Sequence, residues 1–476
     1  MRHRPSFSRR VAALAGTVLL SGCQTFSPDG GLTLPAAIVG GHLNKEITAI
    51  RSEGEAAAVR VQVQRLLQRP LTAEKAVQIA LFNNRGLQAA YNELGIAEAV
   101  KVQQSLPPNP SFSITRISSS AELEVDRQVV LSILALATLP ARSEIAAERF
   151  HQAQLAAALE TLRVAAEARR AFYRAVAALE LVNLFTEANS AAATMAQLAK
   201  RLGETGALNK LDQAREQAFY SDVTTRLASA QQRASRERER LVRALGLWGS
   251  DLNFALPKSL PALPKRAVAL PAVEQEAVRN RVDLQIARIE LDTLAKTYGL
   301  TNATRFINVL DAGYADKLIK DNVTGERIRD RGFTVSFEVP IFDFGEARVR
   351  EAEQTYMQAV NRLAQKAVNV RSEAREVYRN YRATYDIAGH YQRNVLPLRK
   401  IISDEMMLRY GAMQVDVFAL LLEAQQKLSA NAAAADALRD FWLASTDLSA
   451  AMVGGGSDTA EPGKPTLSGI GGGAGH

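Results

Sequence analysis

Cysteine occurs once in the 476 residues, at Cys23, so no disulfide and no cysteine-built metal centre can form within one chain. Histidine is scarce too, and His3, His42, His151, His390 and His476 show no ligand spacing. Aromatic residues are only 6% of the chain, which suits closely packed alanine-rich helices better than a thick core. No serine-nucleophile motif and no phosphate-cradling loop is present, and the acids are scattered along helical stretches. These absences argue against an enzyme, a cofactor or a metal site. The net charge of +8 falls to about +4 once Arg2, Arg4, Arg9 and Arg10 of a leader are set aside, too mild a balance to imply nucleic acid. The densest basic stretch, Arg233 to Arg243, interleaves Glu237 and Glu239. It reads as a solvated helix face with Glu239 and Arg243 paired at i,i+4.

The first long apolar run, Val11 to Leu20, follows basic residues and is too short to span a bilayer permanently, so it reads as a secretory signal. Leu20-Ser21-Gly22-Cys23 then resembles the bacterial lipoprotein box. That resemblance implies cleavage before Cys23, a diacylglycerol on its sulfur and an acyl chain such as palmitate on its new amino group. Gln24 follows in place of the aspartate that commonly retains such proteins at the inner membrane, which favours the outer one. The other reading is an ordinary leader with a stray cysteine.

What the chain has in abundance is repetition. Ala80-Leu81-Phe82-Asn83 leads on to Leu87 and Leu94, and Ala277-Val278-Arg279-Asn280 leads on to Leu284 and Leu291, so one offset of 197 superposes the two stretches. Each half runs through an amphipathic helix, two strand-like runs, a long helix, a glycine-marked turn and a returning helix. Residues 24–60 begin as a leash with Pro and Gly and gain helical character late. Thr72 caps the first leading helix, with Val77, Ala80, Leu81, Leu87, Ala90, Tyr91 and Leu94 on its apolar face, and Pro107-Pro108-Asn109-Pro110 ends it.

Strand-like runs are expected near 111–118 and 127–138, and again near 304–314 and 331–341. In the last, Phe333, Val335, Phe337, Val339 and Ile341 alternate with Thr334, Ser336 and Glu338. Ala315 to Asp330 reads as a long solvated connection, and Ser118 to Asp126 as a shorter one. Strands near ten residues suit a tilted crossing of a thin outer membrane. Four are too few to enclose a pore, and open edges cannot face lipid, so they must close with strands of other copies; three copies, giving twelve strands, is the economical answer.

The rods follow. Ala141 to Leu202 holds no Gly or Pro over 62 residues, a helix of roughly 90 Å at 1.5 Å per residue. In the second half Val349, Tyr356, Leu363, Val370 and Val377 recur every seven residues, beside Val360, Ala367, Ala374 and Tyr381. Ala158, Ala165, Phe172 and Leu179 do the same in the first half, a period that drives supercoiling against neighbours. The rods turn between Gly203 and Asp212 and between Tyr410 and Asp416, where glycine can end a helix at positive φ and an Asp lies in the return helix's first turn. Pro257, Pro261, Pro264 and Pro271 mark an extended linker between the halves. Nine glycines among the 23 residues after Val453 mark a flexible tail.

In this order, twice over, these features resemble the TolC-like outer-membrane factor family in its lipoprotein branch. The resemblance rests on Ala80-Leu81-Phe82-Asn83-Asn84, Pro107-Pro108-Asn109-Pro110, Val339-Pro340-Ile341-Phe342-Asp343-Phe344-Gly345 and the Gly206 to Asp212 turn with its later counterpart, and it covers 70–453. It implies a mainly α chain with a small transmembrane β part, assembled as a homotrimer with a twelve-stranded β-barrel and a twelve-helix periplasmic α-barrel. It implies a passive outer-membrane duct served by a periplasmic adaptor and an inner-membrane transporter. The organisation expected is a signal peptide at 1–22, a lipidated leash and equatorial segment at 23–69, a first repeat at 70–249, a linker at 250–270, a second repeat at 271–453 and a disordered glycine-rich tail at 454–476. The family's tip residues map to Gly206, Leu208, Asp212, Gly411, Val415 and Asp416 as adaptor-docking or gate elements, or as helix caps alone. Asp404, Glu405 and Arg409 are candidate gate charges, or solvated surface. The chain departs from the pattern at Leu139-Pro140-Ala141, where the second half has Asp343-Phe344-Gly345, so the two strand-to-helix junctions are expected to differ.

Met406, Met407 and Met413 crowd the second turn. Thioethers suit Cu(I), but they also pack irregular interfaces, and no His or Cys accompanies them. A periplasmic coiled-coil scaffold or adaptor lipoprotein without a pore is the alternative to the duct. Adaptors usually carry a single hairpin, which leaves the paired strands before each of two rods unexplained.

Overall fold

The structure is a computed structural model that describes residues 26–454. The expected leader, Cys23 and the tail beyond Gly454 lie outside the described residues. The described chain divides into two compact units, each drawing on both repeats: one from residues 26–37, 90–157 and 283–366, the other from 38–89, 158–282 and 367–454.

The elements follow the duplicated order. Helices α1 (Thr33–Leu43) and α2 (Glu53–Leu67) precede the first leading helix, which is broken in two, α3 (Ala73–Asn83) and α4 (Arg85–Gln104). Strands β1 (Ser111–Ser118) and β2 (Glu122–Ser132) follow, then a single turn of helix α5 (Ile133–Ala137), the rod α6 (Leu139–Glu204) and its return α7 (Lys210–Leu245). The second repeat gives α8 (Val273–Asn280), α9 (Val282–Ala303), β3 (Val309–Asp321), β4 (Arg327–Glu338), the rod α10 (Glu346–His390) continued by α11 (Leu396–Gly411), and the return α12 (Val417–Val453).

In the first unit the four strands form one antiparallel sheet in chain order, leaving β1 and β4 as its edges. Strand boundaries differ from expectation. The second run starts at Glu122 instead of 127 and ends at Ser132, and residues 133–137 are helical. The third and fourth strands take in most of Ala315 to Asp330, leaving only residues 322–326 between them. Charged side chains there alternate from face to face of a two-sided sheet, mostly basic on one and mostly acidic on the other, so polarity did not mark a loop.

The two strand-to-helix junctions do differ. After β4 the chain turns through Phe344 at φ +50 and Gly345 at φ +72. Asp343 Oδ1 accepts the Gly345 amide at 3.0 Å, and Arg348 donates to the Arg305 carbonyl at 3.2 Å. A Cβ on Gly345 would stand 2.2 Å from the Arg305 oxygen, so this position requires glycine. The first repeat instead makes its corner with α5 and passes into α6 through Thr138. The N-terminal segment is already docked at Ser27, whose amide donates to Glu98 Oε1 at 2.7 Å, and Gln154 donates to the Gly31 carbonyl at 2.8 Å. The expected leash is therefore held and helical from Thr33, its polar backbone groups taken up by α4 and α6.

In the second unit the leading helices break at corresponding points, Asn84 (ψ 115) and Arg281 (ψ 122), 197 residues apart. The unbroken leading helix expected from periodicity is thus two helices. Periodicity survives the break because Leu87 and Leu94 stay fully buried on the far side. In the heptad row of the first rod Ala158, Ala165 and Phe172 are within 2% of complete burial and Leu179 is half-buried. In the two rows of the second rod Val370, Ala374 and Tyr381 are buried, and Val349, Tyr356, Val360, Leu363, Ala367 and Val377 are half-buried. That rod is interrupted by one π turn, Tyr391–Val395, immediately before Pro397. Proline has no amide to donate and crowds the preceding turn, and a widened turn accommodates it.

The linker is strapped to the helices. Leu260 donates its amide to Glu180 Oε2 at 3.0 Å, and burial raises the Glu180 carboxyl above its ordinary range against that amide's opposing pull. Trp442 Nε1 donates to the Pro261 carbonyl at 3.0 Å and Tyr385 OH to the Pro264 carbonyl at 3.0 Å. Val268 and Leu270 donate to the hydroxyls of Tyr381 and Tyr378 at 3.1 and 3.2 Å. In the basic stretch of α7, Arg240 pairs with Glu237, Arg233 with Asp436, and Arg238 stacks on Phe254 while donating to two linker carbonyls. The expected Glu239–Arg243 pair is not formed: both side chains are exposed, and the contacts belong to the arginines beside the linker and α12.

Candidate conduit wall and helical tips

Two places are the candidate sites: the sheet of the first unit and the helix turns of the second. In a strand adjacent side chains point to opposite faces, and in an antiparallel pair directly opposed residues share a face. The register therefore sorts every strand residue. Phe112 and Ile114 of β1, Val129 and Leu131 of β2, Ala312 and Tyr314 of β3, and Phe333, Val335 and Phe337 of β4 share one face. Tyr314 and Phe333 touch there with ring centroids 5.6 Å apart. The other face carries Ser113, Thr115, Gln128, Gly313, Thr334 and Ser336. The alternation read from Phe333 to Glu338 holds in the neighbouring strands over these rungs, with Val130 and Val309 the exceptions on the polar face.

Charge is sorted as strictly as polarity. Asp316 is opposed by Arg127 on one side and Arg331 on the other, and is paired with Arg329. Arg116 and Arg327 extend the same basic face. The next residue, Lys317, is opposed by Asp126 and Asp330 and bonded to Glu124 at 2.5 Å. Glu122, Asp311, Asp321 and Glu338 extend this acidic face. Along the strands the polar face is a wall of carboxylates with Lys317 as its single cation. Arg327, Arg329 and Arg331 at every second position signalled a strand in the sequence, but their number suggested a loop.

At the first turn, the amides of Ala207 and Leu208 reach back to the Leu202 carbonyl at 2.9 and 3.2 Å through Gly206 at φ +75. Asn209, which sequence reasoning missed, caps α7 by accepting the Asp212 amide at 2.8 Å. An Asn three residues before an Asp at a helix start was the available signal. Asp212 in turn accepts from Asn209 and Arg215. Leu208 is half-buried.

At the second turn the left-handed residue is Met413 (φ 60) and not Gly411, which closes the last turn of α11. The turn runs two residues past the glycine before it reverses, so the steric demand falls on Met413, 94% exposed. Asp416 is the cap of α12, accepting the Ala419 amide at 2.8 Å, and Val415 is half-buried. Glu405 and Arg409 pair along α11 at 3.0 Å, and Asp404 is exposed. Met407 is exposed and Met406 half-buried. Among the described residues no cluster of His, Cys, Asp and Glu could hold a metal ion. Arg215 of α7 lies 4.4 Å from the Phe418 ring of α12, bringing the two turns together.

Just above the turns are two buried carboxylates that sequence reasoning missed. Glu216 is 1% exposed and neither oxygen has a hydrogen-bond partner. Burial, helped by the charge of Asp212, raises its carboxyl above the ordinary range. Glu423 accepts Arg399 on one oxygen at 3.2 Å and leaves the other unpaired. Beside the π turn an open groove of about 860 Å³ is lined by Arg226, Asp386, His390, Arg399 and Gln426 among others. No helix among the described residues is long and apolar enough to cross a membrane.

No protein-family model matches the chain. The chain is 26% identical over 292 residues to the cobalt-zinc-cadmium resistance protein CzcC of Cupriavidus metallidurans, a match that covers 60% of this chain and 66%, just under two thirds, of the relative. Among solved structures it superposes on the CmeC outer-membrane channel of Campylobacter jejuni with a TM-score of 0.69 at 15% identity, covering 82% of this chain and 87% of that one. The open state of the MtrE outer-membrane channel of Neisseria gonorrhoeae gives 0.64 at 15% identity, with 82% and 91% covered. At such identities the likeness to the solved structures is one of fold.

Proposed function

The chain has the fold of the TolC-like outer-membrane factors, and from that premise we propose that it is the outer-membrane channel of a tripartite efflux or secretion system. Three copies close their sheets edge to edge into a twelve-stranded barrel, and their rods form the periplasmic duct. A periplasmic adaptor and an inner-membrane transporter supply cargo and energy, and the protein itself performs no chemistry. Cys23 carries the lipid that tethers the mature N-terminus to the outer membrane.

The observation that carries this reading is the sheet: four strands, two open edges, one apolar face and one polar face. Unpaired strand amides cost several kcal/mol each in hydrocarbon, so such a sheet is stable in a membrane only when its edges are paired by other copies. A pore-free scaffold offers no use for the exposed apolar band of Phe112, Ile114, Phe333, Val335 and Phe337.

Cargo follows from the wall. Asp126, Asp330, Glu124 and Glu338 line the face turned from lipid, so the barrel favours cations over anions. The relative named for cobalt, zinc and cadmium resistance fits a cationic cargo. The turn residues Gly206, Leu208, Asp212, Gly411, Val415 and Asp416 are the adaptor's docking surface or its gate, with Asp404, Glu405 and Arg409 beside them.

Purified full-length protein tests the reading through its oligomeric mass and its conductance in a planar bilayer. A trimer with stepwise conductance is expected. Monomeric protein extracted without detergent, or a trimer that does not conduct, would sink it.

A further inference from the structure

Basic side chains on the apolar face of the sheet form a collar. Ile114, Arg127, Asp316 and Arg331 lie side by side on one rung, Arg116, Val125, Leu318 and Arg329 on the next, and Ser118, Leu123, Lys320 and Arg327 on the last. The apolar band of Phe333, Val335 and Phe337 ends where Arg331 begins. All five arginines are exposed, and Asp316 is the only acid the strands place on this face. It is engaged by Arg329 and lies 4.0 Å from Arg331.

Two features separate this collar from an ordinary solvated patch. It occupies the lipid-directed face, whereas every strand acid but Asp316 lies on the other. A lipid-facing charge is tolerated only close to the membrane interface, which sets the collar at headgroup level, next to the hairpin turns at 119–121 and 322–326. It also concentrates on the open edges. Arg116 lies on β1, and Arg327, Arg329 and Arg331 on β4, so closing the barrel sets arginines of two copies beside one another. Like charges on neighbouring strands repel, and on this face neither edge strand carries an acid to relieve them.

We propose that this collar binds the phosphate groups of a bisphosphorylated glycolipid in the outer leaflet, one molecule at each seam between copies. The inference rests on the barrel reading above. A guanidinium fork matches phosphate with two parallel hydrogen bonds. Arginines spread over two edges suit a headgroup carrying two separated phosphates better than a lipid with one. The acyl chains of such a lipid would lie on Phe112, Ile114, Phe333 and Val335 directly below.

The test is equilibrium binding of defined lipids to full-length assembled protein in nonionic detergent. The probes are bisphosphoryl lipid A, monophosphoryl lipid A, phosphatidylglycerol and inorganic phosphate. Bisphosphoryl lipid A is expected to bind about tenfold or more tightly than phosphatidylglycerol, and Arg327→Gln with Arg331→Gln to weaken it by about tenfold. Arg329 is left in place because it partners Asp316. Arg327→Lys with Arg331→Lys, which keeps the charge but not the fork and guards against a folding defect, should bind more tightly than the Gln variant and more weakly than wild type. Equal affinity of the Gln variant and wild type overturns the proposal, as does phosphatidylglycerol matching the bisphosphoryl lipid, or inorganic phosphate displacing it at equal concentration. Conductance is recorded on the same preparations. A conducting protein with no lipid preference removes this inference alone, and a wild-type protein that never conducts removes the channel reading.

Discussion

Asn84 and Arg281 stand at the same point of the two repeats, and each reaches the end of its own repeat's return helix. Asn84 Nδ2 donates to the Ala244 carbonyl at 3.2 Å, and Arg281 donates to the Ala451 carbonyl at 3.3 Å. Both sit where a leading helix breaks, and both take up a carbonyl that the end of an α-helix leaves without a partner. The repeats have kept the geometry and exchanged the chemistry. Arg281 is in addition bonded to Glu373 at 2.6 Å in a largely buried pair.

The two closures should therefore differ in cost when removed. Asn84→Ala is expected to lower unfolding free energy by about 1–2 kcal/mol, the scale of one or two buried hydrogen bonds. Arg281→Ala strands Glu373 and should cost about 3 kcal/mol or more. Denaturant unfolding of the detergent-solubilised protein measures both, and equal losses would contradict the assignment.

Three glycines discriminate structural caps from docking residues. Gly345→Ala meets both a left-handed backbone and the Arg305 carbonyl, and is expected to cost about 3 kcal/mol or prevent assembly. Gly206→Ala keeps open space around it but the same backbone strain, so about 1 kcal/mol is expected. Gly411→Ala meets neither and should be neutral or slightly stabilising. If Gly411→Ala nonetheless blocks export by a stably folded trimer, the second turn contacts the adaptor or gate directly.

Met413→Gly should stabilise. Its left-handed φ suits glycine, and a side chain 94% exposed gives up little packing, so a gain of about 0.5–1 kcal/mol is expected. A loss of stability would show that Met413 packs against another copy.

Glu216 carries a pH dependence. Its carboxyl is raised by burial and by Asp212, so the folded state prefers the protonated form. Stability should fall as pH rises from the ordinary carboxylate value of 4.5 through the raised folded value. Glu216→Gln should remove that slope and gain about 1 kcal/mol or more at neutral pH. Wild type and Glu216→Gln are followed by thermal unfolding across the pH range. Parallel curves for the two proteins would show that the carboxylate finds a partner on assembly.

The acidic wall gives a conductance prediction. Asp330→Asn with Glu338→Gln should reduce the cation preference, read as a smaller reversal potential across a salt gradient, and leave the pore open. An unchanged potential would place these residues off the ion path.

Much of this was legible in the sequence. The offset of 197, the glycine-free rod, the Pro107 to Pro110 stop and the clean alternation from Phe333 to Glu338 follow from local rules of backbone and period. The turn at Asp343 to Gly345 was visible as a motif, although its reason, the close Arg305 carbonyl, is a contact between distant residues. The extent of the strands was not legible. Residues such as Asp316, Lys317, Arg329 and Asp330 read as solvated until the register shows them answering one another across strands. Glu216 and Glu423 were equally invisible, since nothing local distinguishes a buried carboxylate on a helix from an exposed one.

The straps on the linker bear on how the molecule is made. The amides of Val268 and Leu270 and the carbonyls of Pro261 and Pro264 find their partners on Tyr378, Tyr381, Tyr385 and Trp442, more than 100 residues later in the chain. Three of these partners lie on α10, and Trp442 alone on α12. In a chain made N-terminus first, the stretch from Pro261 to Leu270 is therefore unfastened while the first repeat forms. It is held from Pro264 to Leu270 once α10 arrives, and its Pro261 end is fixed last, by α12. A chain truncated before Trp442 would keep the first three straps and leave only the Pro261 end for proteases to cut.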